Sequence, residues 1–422
     1  MEIVKIATSK ICVAEYNPRL DLKPGDSEYE KLKQSIKTFG YVEPLVWNKQ
    51  TGTLVSGHQR YKILQEQGLE EVEVSVVDLP LEKEKALAVA LNKIRGNWDE
   101  EKLAGILKEL TEIPDFNVNL TGFENDEIGK LFDEYLTPDP EDDFDLAKEV
   151  EGIVSPITQK GDLIELGKHR LLCGDASSPE DLKRLLGDQA VHLLHTDPPY
   201  NCGYDSTSRP GQGEKDARWQ PIANDWANQE DYEVWLNKIF QTMKPHLLAG
   251  APMYVWNGFR QFGPMLSMLT RLGFHVSNVI TWVKPCASPS YGDYWMGSEF
   301  CIYAWLEGKG SHRWFGPKSE TNVWEISRDG IGDLIHPTQK PIALAQRAIK
   351  NSSERGNLVL DCFAGSGSTI IAAQSMERVC YAMELESVYC DAIVRRFIKT
   401  YGAKSVSPEV ATRYMEEKDN GK

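Results

Sequence analysis

From Gly161 onward, short apolar runs alternate with amphipathic stretches, a rhythm that implies a largely parallel sheet covered by helices. Strands are expected at 191–196, 252–256, 277–283, 300–305, 357–361 and 379–383, after a hairpin of Asp162 to Leu166 and His169 to Cys173 across Gly167-Lys168. Helical spacing fits 179–186, 230–244, 259–272, 341–351, 368–376 and 386–399. Two of the strands end in distinctive strings, Asp197-Pro198-Pro199-Tyr200 and Asp361-Cys362-Phe363-Ala364-Gly365-Ser366-Gly367-Ser368-Thr369. Strand ends that run into Gly or Pro turns are where open α/β sheets bind ligands. The stretch from Lys284 to Ile335 breaks the rhythm and is rich in Gly, Ser, Trp and Tyr.

The first third of the chain has a different character. Tyr29 to Phe39 has helical spacing and ends at Gly40, a suitable C-cap. Leu45-Val46-Trp47 and Thr53-Leu54-Val55 flank the turn Lys49-Gln50-Thr51-Gly52 as a hairpin, followed by a helix from Gln59 to Gln67 and a period-two strand from Val72 to Val77. Helices are expected at 82–92, at 99–110 with Asp99 as its cap, and at 125–136. An acidic, proline-bearing stretch follows, so 137–157 reads as a linker. The organisation is then an α+β domain over 1–90, a helical extension over 91–136, the linker, and an α/β domain over 158–422.

With 422 residues there is length for two or three full cores. The net charge of −16 looks unsuited to nucleic acid until it is divided: 18 basic face 31 acidic residues through Val150, and 29 face 32 beyond it. The acidity belongs to the first third, and a local basic groove in the remainder suffices for DNA. Eight cysteines without a CxxC pair argue against a zinc site or disulfide framework and for a reducing cytosol. The opening Met1-Glu2-Ile3-Val4-Lys5 has no apolar leader core, and no run is long enough to span a bilayer, so no membrane association is expected.

The two strings permit complementary chemistry. An exocyclic amino nitrogen on a base is a poor nucleophile because its lone pair is delocalised into the ring. Acceptors for its N–H groups, set out of the base plane, would free that pair. Asp197 offers a carboxylate and Pro198, with its fixed φ and no N–H donor, a backbone carbonyl; Pro199 follows in the catalytic string and Tyr200 supplies a face for stacking. A base inside a duplex would have to be flipped out to reach them. The glycine-rich string ends a strand and opens a helix, which leaves N–H groups for a ligand, and no Lys makes it a P-loop. Glu384, 23 residues beyond Asp361, ends the next strand, where an acid can accept from ribose hydroxyls.

Residues 160–400 resemble a β-group DNA amino-methyltransferase, in which the catalytic motif precedes the cofactor motif. Leu171-Leu172-Cys173-Gly174-Asp175, Met253-Tyr254-Val255-Trp256, Ile280-Thr281-Trp282-Val283-Lys284 and His336-Pro337-Thr338-Gln339-Lys340-Pro341 match further segments in that family's order. The resemblance implies a Rossmann-like sheet and S-adenosylmethionine as cofactor. It implies cofactor contacts from Asp175, Thr338, Gln339, Lys340, Asp361, Phe363, Gly365, Ser366, Gly367, Ser368, Thr369 and Glu384. It places a target-recognition segment at 284–335, whose Tyr291, Tyr294, Trp295, Trp314, Lys284, Arg313, Lys318 and Arg328 interleave aromatic and basic groups for double-stranded DNA. The loop from Gly203 to Asn224, with Arg209, Lys215 and Arg218, would close over the flipped base. His192, His195 and Trp282 read as packed side chains.

Within that family an Asp opening the catalytic string points to adenine N6, whereas Ser accompanies cytosine N4. Cytosine N4 remains the alternative, as do an adaptor without activity and methylation of a protein or RNA amide. Family members belong to restriction-modification systems of bacteria and phages, and some are dimers.

Asn17-Pro18-Arg19, Tyr41-Val42-Glu43-Pro44-Leu45 and Val55-Ser56-Gly57-His58-Gln59-Arg60-Tyr61 resemble the N-terminal domain of ParB-like proteins, a relative of sulfiredoxin. The resemblance implies nucleotide or protein contact at the turn that opens the helix. The turn lacks ParB's arginine cluster, having only His58 and Arg60, and lacks sulfiredoxin's cysteine.

Overall fold

The structure, a computed structural model, describes residues 2–93, 98–137, 144–201, 228–288, 293–308, 312–326 and 340–415. They form two compact units, Met1–Thr137 and Pro138–Lys422.

The first unit opens with β1 (Glu2–Ala7), β2 (Cys12–Val13), α1 (Ser27–Phe39), β3 (Leu45–Asn48), β4 (Thr53–Ser56), α2 (His58–Glu66) and β5 (Glu71–Val77). The strands form a five-stranded sheet in the order β1-β5-β3-β4-β2. Alternation in β5 buries Val72 and Val74 while Glu71 and Glu73 face out, which is the half-buried pattern of its sequence. Gly40 ends α1 at φ 75°. Gly57 opens α2 at φ 98°, where a Cβ would lie 2.5 Å from the Leu45 side chain. Helices α3 (Leu81–Asn92), α4 (Glu100–Thr111) and α5 (Asn125–Tyr135) follow. Val89, Leu103, Leu107 and Leu110 bring them together, and Asp99 caps α4 by accepting from Lys102 N at 3.2 Å. Strand β1 was not foreseen. It is an edge strand whose residues stay largely exposed, so no burial pattern marks it.

The second unit begins within the expected linker. Helix α6 (Leu146–Glu151) folds there, capped by Asp145, and Phe144 and Leu146 pack against Ala392. Two apolar residues beside a capping Asp outweigh the acidic, proline-bearing composition. Then come β6 (Leu163–Leu166), β7 (His169–Cys173), α7 (Pro179–Leu186), β8 (Leu193–Thr196), α8 (Gln229–Met243), β9 (Pro252–Asn257), α9 (Phe259–Arg271), β10 (Phe274–Ser288), β11 (Met296–Leu306) and β12 (Val323–Glu325). The chain ends with α10 (Ile342–Ser352), β13 (Leu358–Asp361), α11 (Ser368–Ser375), β14 (Val379–Glu384), α12 (Ser387–Tyr401) and α13 (Pro408–Met415).

These strands build one nine-stranded sheet in the order β12-β10-β11-β9-β8-β13-β14-β7-β6. Its centre, β9-β8-β13-β14-β7, is parallel, whereas β6 and the β10–β11 hairpin add antiparallel pairs at either side. Neighbouring strands joined by a short connection cannot cross over to run parallel. Alternate strand residues serve opposite layers. Leu194, Val255 and Leu360 join α7, α8 and α9, while Leu193, Trp256 and Val359 join α10, α11 and α12. Among the described residues no helix is long and apolar enough to cross a membrane.

Candidate active site

The parallel strands all end at one edge of the sheet, and the chemistry collects there. Asp197 follows β8, Asp361 closes β13, Glu384 closes β14 and Asn257 closes β9. From β8 the chain crosses to β9 on one side, while β13 and β14 continue on the other. Such a reversal opens a crevice beyond the strand ends.

On the β8 side, Asp197 meets Lys340, which lies just before α10, through its Oδ2. Its Oδ1 is buried with no hydrogen-bond partner among the described residues. Lys340 Nζ also donates to Tyr200 Oη at 2.9 Å and lies 3.4 Å from Glu299 Oε2 on β11. Lys284 Nζ holds the other Glu299 oxygen at 2.6 Å. Two carboxylates and two ammonium groups thus share one half-enclosed cluster. Burial raises Asp197 above the ordinary carboxylate range, against the pull of Lys340. Burial acts the same way on Glu299, but Lys340 and Lys284 overcome it and bring Glu299 down to about 2. Burial would lower Lys340, yet the two carboxylates hold it above its usual value. The Tyr200 ring lies over Gly258, where a Cβ would come within 3.2 Å, and Tyr232 Oη steadies the turn by donating to the Pro199 carbonyl at 2.6 Å.

The β13 side is built differently. Asp361 is 4% exposed. Its Oδ1 accepts from Phe363 N at 3.1 Å and Thr196 Oγ1 at 3.3 Å, and its Oδ2 from Thr369 Oγ1 at 2.6 Å. Glu384 accepts from Gly365 N at 2.9 Å and Glu386 N at 3.1 Å. Burial lifts both carboxyls to about 7. The turn reaches this geometry because Gly365 and Gly367 take φ of 51° and 78°, and a Cβ on Gly367 would press within 2.9 Å of Ile393. Arg396 of α12 anchors the turn by donating to Ser366 O at 2.6 Å, and Ser368 opens α11. Phe363 lies edge-on to Trp235. Asp175 is tied to its own loop, accepting from Ser177 N at 2.8 Å.

The structure therefore brings Asp197, Pro198, Pro199, Tyr200, Asp361, Phe363, Gly365 to Thr369 and Glu384 to a single edge. Three residues take positions other than the sequence reading gave them. Lys340, expected in the cofactor cleft, binds Asp197. Lys284, expected on DNA, has a side chain only 7% exposed and paired with Glu299, because β10 carries it into the acidic cluster. Arg313 sits by the beginnings of β8 and β9, with its N–H on Gly250 O and its charge beside His192, at the opposite edge from Asp197. Lys318 is exposed. Tyr294 and Trp295 are 86% and 65% exposed beside the start of β11, at the same edge as Asp197. Arg209, Lys215, Arg218, Arg328, Tyr291, Thr338 and Gln339 lie outside the described residues.

Sequence reasoning missed Glu299, His195, Thr196 and Trp256 as members of the site. The polar pair His195-Thr196, at the end of an otherwise apolar strand and directly before Asp197, was the signal available. Glu299 had no signal, because its partners are distant in sequence.

The donor set can be tested against a nucleoside ligand carrying an amino-acid tail. Asp361 and Glu384 receive only uncharged donors among the described residues, and the space in front of Gly365 is open. Buried carboxylates in that state suit an ammonium and ribose hydroxyls. The sheet is Rossmann-like, and the carboxylates lie at the ends of its parallel strands.

Residues 191–395 match the DNA methylase family of N6 and N4 type, residues 1–93 the ParB N-terminal domain, and residues 101–160 the ParB-methyltransferase HTH domain. Residues 191–395 thus form an N6/N4 DNA methylase domain, preceded by ParB-type segments. Among similar proteins, type II methyltransferase M2.MboI of Moraxella bovis is 25% identical over 226 residues, covering 50% of this chain and 81% of its own. Type II methyltransferase M.HpaI of Haemophilus parainfluenzae is 27% identical over 254 residues, covering 54% and 73%. The solved M1.HpyAVI–SAM complex is 23% identical with a TM-score of 0.41, covering 54% of this chain and 97% of that one. The cytosine-N4-specific PvuII DNA methyltransferase is 16% identical with a TM-score of 0.44, covering 61% and 94%.

Proposed function

We propose that this chain is a site-specific DNA methyltransferase that transfers a methyl group from S-adenosylmethionine to N6 of an adenine flipped out of a duplex. The observation that carries this reading is the buried Asp197 Oδ1, without a hydrogen-bond partner among the described residues and held at the sheet edge by an ion pair to the other oxygen. With Oδ2 on Lys340, the carboxylate has one orientation, and Oδ1 is the free acceptor for a neutral amine. The raised proton affinity of Asp197 suits it to take the proton that the nitrogen sheds. Tyr200 stacks under the base, and Lys340, 5.2 Å from the ring centroid, fixes its hydroxyl.

S-adenosylmethionine brings an already activated methyl group, so the protein's share is alignment and exclusion of water. Asp361 would face the methionyl ammonium, Glu384 the ribose hydroxyls, and the Gly365–Ser368 backbone the remainder. Exposed Tyr294 and Trp295 support DNA contact at this edge. In the ParB-like unit Arg60 is committed to Glu43 at 2.9 Å, and burial with nearby Arg19 holds His58 near 4. We read that turn as a protein contact rather than a phosphate site. Free thiols at Cys173, Cys362 and Cys380 suit a cytoplasmic enzyme.

Tritium transfer from labelled S-adenosylmethionine into duplex DNA, followed by nucleoside analysis, tests the reading. Label in N6-methyladenine is expected. Label in N4-methylcytosine replaces adenine by cytosine, and DNA that takes up no label in any sequence overturns both.

A further inference from the structure

Strand β8 carries a histidine that the proposed chemistry does not use. His195 is 4% exposed, two residues before Asp197, and its ring lies between Trp256 of β9 and Thr369 of α11. Trp256 Nε1 points at His195 Nε2 at 3.2 Å, and an indole N–H can only donate. Nε2 must therefore be bare, which puts the ring proton on Nδ1. That proton meets Thr369 Oγ1 at 3.1 Å. The hydroxyl, having accepted, sends its own proton to Asp361 Oδ2 at 2.6 Å. Every donor and acceptor in the chain Trp256–His195–Thr369–Asp361 is thus assigned by elimination. The opposite tautomer would set two N–H groups against each other.

Trp256, Thr369 and Asp361 are 0%, 2% and 4% exposed, so water is not available to replace a missing partner. Thr196 and Phe363 N hold the second oxygen of Asp361 from the other side. We infer that His195 is a positioning residue: acting through Thr369, it locks the Asp361 carboxylate in the orientation that receives the ammonium of S-adenosylmethionine. The inference rests on the reading of Asp361 as the ammonium acceptor. It gives the strand that carries the base-binding string a second task, that of setting the donor's anchor.

Two measurements on the full chain test it. Long-range proton–nitrogen spectra should show His195 with a bare Nε2 and a protonated Nδ1; a protonated Nε2 overturns the relay. Calorimetric titration with S-adenosylmethionine, without DNA, should show His195→Leu and Thr369→Val each weakening binding about tenfold, the loss of one hydrogen bond to a charged group. The double variant should lose little more than either alone. His195→Asn, whose amide nitrogen stands where Nδ1 stood, should recover most of the affinity. Wild-type affinity in His195→Leu, or no recovery in His195→Asn, overturns the positioning role. If His195→Leu does not fold, Thr369→Val and His195→Asn carry the same test. A wild-type protein that binds no S-adenosylmethionine would instead overturn the donor reading, while the ring spectrum still decides the relay.

Discussion

Asp197 and Asp361 close neighbouring strands, yet their surroundings differ in kind. Asp197 and Glu299 are met by two ammonium groups, Lys340 and Lys284. Asp361 and Glu384 are met, among the described residues, by hydroxyls and backbone N–H groups alone. Charge on the first side is compensated within the protein. On the proposed reading a neutral base enters without bringing a counter-ion, and one carboxylate oxygen stays aimed at it. On the second side no cation offsets burial among the described residues, and burial lifts both carboxyls to about 7. On the proposed reading a ligand bearing a cation would supply what is missing. One sheet edge thus holds a prepared acceptor for a neutral group beside a prepared acceptor for a charged one.

The largest expected effect breaks the first side alone. Asp197→Ala should lower the rate of methyl transfer by about a thousandfold or more, within the range of a lost acid–base group, while calorimetric affinity for S-adenosylmethionine stays within about threefold. A comparable loss of donor affinity would mean that the two sides are not separate. Glu299→Gln is a smaller perturbation. It leaves Lys284 without its carboxylate partner and Lys340 with Asp197 alone, so turnover should fall about tenfold through the misplaced Lys340, again with donor binding intact, since removing one member of a buried pair leaves the other uncompensated. Unchanged single-turnover rates would reduce Glu299 to a packing role.

The smallest effect sharpens the second side. Because Asp361 and Glu384 have raised proton affinities, each binds its proton in the folded protein at pH values where an ordinary carboxyl is already ionised. The negative charge that attracts an ammonium is present above about 7 and is lost as pH falls through about 7. Donor affinity should be highest near pH 8 and fall several-fold by pH 6. In Asp361→Asn the remaining slope should be shallower. A flat profile in the wild type would show that the donor brings no charge to these carboxyls.

Much of this is legible in the sequence. Elements set by local pattern were recovered to within a residue or two, such as the hairpin of β3 and β4 and the helices ending at Gly40 and Gly68. What escaped has physical causes. Strand β1 lies exposed on an edge, β12 is three residues long, and α6 hides in acidic composition. In the site, Asp197 and Glu384 announce themselves by ending strands, but the pairing of Lys340 and Lys284 depends on Glu299, which lies on a strand added at the side of the parallel core.

By itself the sequence determined that a parallel-centred α/β domain would form, that Pro- and Gly-bearing turns would follow two of its strands, and that a ParB-like unit would precede it. Period-two burial, glycine turns and caps are local, and local chemistry is written residue by residue. Tertiary structure alone decided which charges meet. Lys340 stands 143 residues from Asp197, and His195 stands 174 from Thr369. Whether a buried lysine stabilises a carboxylate or a phosphate depends on what the fold places within a few ångströms of it, and Coulomb and hydrogen-bond energies are decided at that range.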